Sequence, residues 1–162
     1  MVSVDGNDCM IHHPSPFISK RCSHKFNGPG VRYEVYLGIQ NGDIFWVNGP
    51  FPCVECPDIK IFRNKMKISL GPGERVEADD GYRGEHNYID LPYHSYGSKK
   101  WLRKKKRVRS RHESVNSRIK CFKILHSKFK YDLKKHDVVF KAIVVICQLN
   151  IENGYPLFKV EY

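Results

Sequence analysis

The sequence predicts an α/β fold: a mixed sheet with flanking helices. Three observations predict it. Short apolar or alternating runs recur through the first half of the chain, set apart by Gly, Pro and Asn turns. Residues 98–153 contain no Gly and no Pro, so this stretch reads as mostly helix. Hydrophobic residues make up 41% of the 162, enough to bury a core within one domain.

The elements follow in order. Residues 2–4 form a short apolar strand that ends at Asp5-Gly6. It begins one residue into the chain, which reads as a copy truncated ahead of its first strand. Residues 12–30 are rich in Pro, Ser, His and Gly and read as loop. Tyr33, Val35, Leu37 and Ile39 alternate with other residues, so 32–40 is a strand. Asn41-Gly42-Asp43 is a hairpin turn. Residues 44–47 are apolar on both faces, which predicts a central strand ended by Pro50 and Pro52. Asp58 is placed to cap a short helix through Ile59, Phe62 and Met66. Residues 76–78 are a buried strand leading to Asp79, and 89–91, ending at Pro92, are a further short one. One helix is expected over about 110–131, burying Val115, Ile119, Phe122 and Phe129. A polar cluster at 131–137 divides it from a second helix over 138–151.

Composition narrows the function. The net charge of +11 points to nucleic acid first and an anionic membrane surface second. The apolar run at 138–149 is too short to span a bilayer and contains Lys141 and Gln148. No apolar secretory leader follows Met1, so the six cysteines are expected as reduced thiols. Cys53 and Cys56 form a lone CxxC, two ligands short of a structural zinc site. A basic run follows: Lys99, Lys100, Arg103, Lys104, Lys105, Lys106, Arg107, Arg109 and Arg111. Such a run is often a solvated or targeting segment. Here it leads into the helix of Glu113, which favours contacts with a phosphate backbone.

Three carboxylates carry the chemistry. Asp5 and Asp79 each end an apolar strand, and Glu113 lies on the basic helix, with Arg109 four residues before it and Lys120 seven after. Strand-end aspartates are ordinarily turn residues, and a helical Glu is ordinarily solvated. Asp58 and Asp80 are accessory alternatives for the second carboxylate. Adjacent strand residues point to opposite faces, so only one of Asp79 and Asp80 can serve.

Asp5-Gly6, Ala78-Asp79-Asp80-Gly81-Tyr82 and the Arg109–Glu113–Lys120 helix resemble the catalytic core of DDE transposases, most closely the PIF/Harbinger-like DDE superfamily endonucleases. Two positions depart from that pattern: Lys106 stands where it has Tyr, and Pro57 where it has His. The resemblance implies an RNase H-like fold, with Asp5, Asp79 and Glu113 as the catalytic residues. It implies a two-metal Mg²⁺ (or Mn²⁺) site and a DNA substrate. The DNA contacts expected are the basic run and Lys120, with no membrane partner. It also implies a separate DNA-binding module or subunit, or a homo-oligomer. The expected location is nuclear in a eukaryote and cytoplasmic otherwise.

Overall fold

The computed structural model describes residues 1–13, 16, 18–23, 25–91 and 99–161, with Lys20 described in its backbone only. Pro92 and Ser98, expected as a strand end and a helix start, lie outside the described residues. The strands are β1 (Val2–Met10), β2 (Cys22–Ser23), β3 (Gly28–Gly38), β4 (Ile44–Pro52), β5 (Val76–Glu77) and β6 (Ile89–Asp90). The helices are α1 (Asp58–Asn64), α2 (Met66–Ser69), α3 (Lys99–Lys120), α4 (Lys123–His126) and α5 (Leu133–Glu152).

β3 is the hub of the sheet. It pairs antiparallel with β1 along one edge, with β4 along the other, and with β2 at its start. β1 then pairs in parallel with β5, and β5 with β6. The layer therefore runs β4-β3-β1-β5-β6, a mixed sheet with flanking helices. This is the RNase H-like arrangement. The hairpin turn forms where Asn41-Gly42-Asp43 predicts it, with Gly42 at φ +83°, a region open to glycine.

Alternation along β1 sorts the two faces. Val4 points to α1 and α2, where it joins Tyr36, Phe62, Val76 and Tyr82 in one core. Cys9 points to α3 and α5, where Tyr33, Val35, Val115, Ile119 and Phe140 form the larger core. The rings of Tyr33 and Phe140 stack at 3.7 Å between centroids.

The structure corrects several element boundaries. β1 does not stop at Asp5 but continues to Met10. Its polar residues Asn7 and Asp8 are buried and hydrogen-bonded, so polarity does not end the strand. Residues 12–30 are not all loop, since β2 and the start of β3 lie there. β4 is an edge strand rather than a central one: among the described residues it pairs only with β3, and Phe45 is 51% exposed. Prolines are tolerated on such an edge. Asp58 does not cap α1. Pro57 holds that position, and no side chain bonds the free N–H groups.

The expected helix over 110–131 ends at Lys120. Phe122 turns to extended backbone and packs partly buried on the larger core. Phe129 is buried but not helical. Its N–H donates to the Met10 carbonyl, and its own carbonyl accepts from the His12 N–H, so it extends the β1 edge. α5 starts earlier than predicted because Asp132 caps it, accepting from the Lys134 N–H at 3.0 Å.

Candidate active site

β1 and β5 run parallel in a register that pairs Val2 with Val76 and Ser3 with Glu77. Two residues further along each strand come Asp5 and Asp79. Asp79 lies two residues beyond the end of β5, in extended backbone, and its Oδ1 accepts the Gly81 N–H at 2.9 Å. That bond caps a single 3₁₀ turn, Asp80–Tyr82, whose Tyr82 ring is fully buried against Phe62. The turn thereby fixes where Asp79 leaves the sheet.

α3 crosses above these strands, and three of its polar side chains fasten it there. Lys105 is buried, 3.3 Å from Glu77 on β5, and its ammonium donates to the Leu91 carbonyl. His112 Nε2 and Ser3 Oγ on β1 share a 2.8 Å hydrogen bond. Burial pushes the His112 pKa down to about 3, so this ring is neutral. Asn116 donates to Asp5 Oδ2 at 3.1 Å and accepts from Asn7 at 2.8 Å. Glu113 sits between His112 and Asn116 on the exposed side of this contact face.

Asp5, Asp79 and Glu113 line one cleft of about 1340 Å³. Burial first, then the negative charge of Asp79 and, less strongly, of Glu113, push the Asp5 pKa up to about 6. Lys25 and the Gly6 N–H oppose that rise. Among the described residues, no three His, Cys, Asp or Glu side chains stand close enough together to hold one ion. The three carboxylates nevertheless present hard oxygen donors along one cleft, which fits divalent cations such as Mg²⁺.

Asp80 is exposed, pairs with Arg83 at 3.3 Å and does not line the cleft. Asp58 lies behind the site, on the α1 side of the sheet. A methyl group added at Gly6 would stand 2.6 Å from Asp58 Oδ1, and one at Gly81 would stand 2.9 Å from Asp58 Oδ2. Asp58 thus backs onto the two glycines next to Asp5 and Asp79. Arg32 holds it at 3.3 Å and is itself gripped by Asp8 through bonds of 2.7 and 3.0 Å.

The basic run divides by helical phase. Lys106, Arg109 and Lys120 line the cleft, and Lys99, Lys100 and Arg103 are exposed. Lys104 is half-buried. Arg107 is exposed and donates to the Lys159 carbonyl. Two of the expected DNA contacts are buried and bound to groups of the protein itself. Lys105 is held in its buried pair with Glu77. Arg111 is 1% exposed and donates to the backbone carbonyls of Gly38, Ile39 and Phe158. Lys25 was not foreseen. It lines the cleft, donates to the Gly6 carbonyl at 3.2 Å and lies in a loop without periodic signal. Asn116 and His112 were also missed, although polar residues on the strand-facing stripe of α3 could have pointed to them.

A family model described as DDE superfamily endonuclease matches residues 17–148. That span includes Asp58, Asp79 and Glu113, while β1 with Asp5 precedes it. Searches of curated proteins and of solved structures found no match. With most of its length matched, the chain belongs to the DDE superfamily endonuclease family.

Proposed function

We propose that this protein is a metal-dependent DNA endonuclease and strand-transfer domain, with Asp5, Asp79 and Glu113 holding Mg²⁺ or Mn²⁺. The family works on DNA with divalent metals. One observation carries the finer reading: carboxylates from β1, the end of β5 and α3 line one cleft, and Asp5 feels the charge of the other two. When bound, a pair of such cations activates the attacking oxygen and stabilises the leaving oxygen at phosphorus.

The chain's own residues do the rest. Asn116 and the Gly6 N–H orient the two oxygens of Asp5. The Gly81 N–H orients Asp79. Lys25, Lys106, Arg109 and Lys120 put positive charge along the same cleft, where a phosphate backbone would lie.

The test is nicking of supercoiled DNA. Mg²⁺ or Mn²⁺ should support it, and Ca²⁺, with its larger and looser shell, should not. Glu113→Gln should abolish it while keeping the fold. A wild type that binds DNA but never nicks it with any metal sinks this reading. The second reading, a copy that binds DNA without cutting, would then stand. It is favoured by the lack of three carboxylates within reach of one ion among the described residues.

A further inference from the structure

α5 carries apolar residues on two faces. The inner face, with Phe140, Ile143, Val144, Cys147 and Ile151, is buried in the larger core. The outer face is not covered: Val138 is 67% exposed, Val145 57% and Leu149 50%. Ala142 is exposed between them. Lys135, Val138, Ala142, Val145, Leu149 and Glu152 follow one another at alternating steps of three and four, and all six are exposed. That spacing is the seam of a two-helix coil, which buries nothing until a partner helix arrives. Among the described residues no helix is long and apolar enough to cross a membrane.

The ends of the seam identify the partner. Lys135 lies in the first turn and Glu152 at the last residue of α5. Each charge sits at the pole of the helix dipole that disfavours it. A second α5 running the opposite way reverses both conflicts. In that pairing Val138 faces Leu149 of the second copy, Ala142 faces Val145, and Lys135 faces Glu152. The same pairs then repeat across the two-fold axis, as a symmetric interface requires. Lys141, beside the seam, is paired with Asp137 on its own helix at 2.7 Å.

We propose that two copies of this chain dimerise through α5, packed antiparallel across a two-fold axis along the Lys135–Glu152 seam. The proposal does not depend on the nuclease reading.

The test is the mass of the full chain in solution, freed of nucleic acid, across a concentration series. The mass should rise from 18.9 kDa towards twice that value. Val145→Asp with Leu149→Asp should hold it at the monomer mass without changing the circular dichroism. Lys135→Glu and Glu152→Lys should each weaken self-association. Mixing these two variants should restore a dimer, because every facing pair is then opposite in charge. A wild type still monomeric at about 100 µM overturns the proposal. So does a dimer that survives the double aspartate variant. If that variant unfolds, the two exposed charge variants decide, and a mixture that stays as weak as its components overturns the pairing.

Discussion

Asp5 and Asp8 lie three residues apart on β1, face opposite sides of the sheet and have opposite surroundings. Asp8 is buried, on the α1 side of the strand. Burial raises its pKa, but the Arg32 guanidinium and the Ser23 hydroxyl lower it more, and it ends below the ordinary carboxylate range. Asp5 sits on the cleft side. It has no cationic hydrogen-bond partner among the described residues, faces two other carboxylates, and rises to about 6. One aspartate is structural because its charge is matched. The other is available for chemistry because its charge is not. The two faces differ in the same way: behind the sheet Arg32 joins Asp8 to Asp58, while in front acids and cations line one cleft without a cationic hydrogen bond to Asp5 among the described residues.

The sharpest way to break this comparison is to remove one acid from each face and measure nicking. Glu113→Gln on the cleft side should lose all measurable activity. Asp58→Asn behind the site should cost roughly 10–100-fold, as expected of a residue that supports ligands rather than serving as one. Equal losses would mean Asp58 belongs to the reacting set.

Stability should rank the faces the other way. Asp8→Ala leaves the buried Arg32 guanidinium without its bidentate partner and should cost about 3–5 kcal/mol in urea unfolding at pH 7. The loss should shrink in acid, because a lowered carboxyl stabilises the fold above its unfolded pKa and ceases to do so as pH falls through its folded value. Asp5→Asn should do the reverse. A carboxyl raised from 3.8 to about 6 penalises the fold at neutral pH. That span corresponds to about 3 kcal/mol at most. In metal-free buffer the variant should therefore be more stable than wild type above about pH 6, with the gain gone below pH 3.8. Added Mg²⁺ should narrow the difference by stabilising only the wild type. A destabilised Asp5→Asn at pH 8 would show that Asp5 is not under charge stress.

The smallest effect concerns the basic helix. Lys106→Ala and Arg109→Ala should each flatten the dependence of log DNA affinity on log salt by about one unit without changing the melting temperature. Lys105→Ala, adjacent in sequence, should leave the slope alone and destabilise the fold. Identical slopes for all three would mean that no phosphate enters the cleft.

The parallel pairing that carries these acids could be read from the sequence, although β1 runs past Asp5 to Met10 and Asp79 lies two residues beyond β5. Asp5 and Asp79 come together through a parallel register that two short apolar runs already implied. The division of α3 could not be read from a list of basic residues. Lys105, Val108, Arg111, His112, Val115 and Ile119 are its buried residues, so two of the cations in the run, Lys105 and Arg111, face inward. Apolar counting missed this because a lysine and an arginine serve as buried members of the helix face. It also stopped β1 five residues short. Asn7 and Asp8 look like a turn until Asn116 and Arg32, far away in sequence, satisfy them. The role of Asp58 was hidden for the same reason, since a capping position and a support behind two glycines look alike in one dimension.

Arg111 links the candidate site to the backbone near Phe158. Its guanidinium grips carbonyls of the β3–β4 turn and of Phe158, so the helix that presents Glu113 is moored at a point remote from the cleft. The mooring uses main-chain oxygens, and therefore needs the 155–160 strand of backbone to be present but places little demand on its side chains. Any duplex that tilts α3 on entering the cleft must pull on this mooring. Deuterium uptake in that terminal stretch would then serve as a remote gauge of cleft occupancy, readable without labelling any residue that touches the substrate.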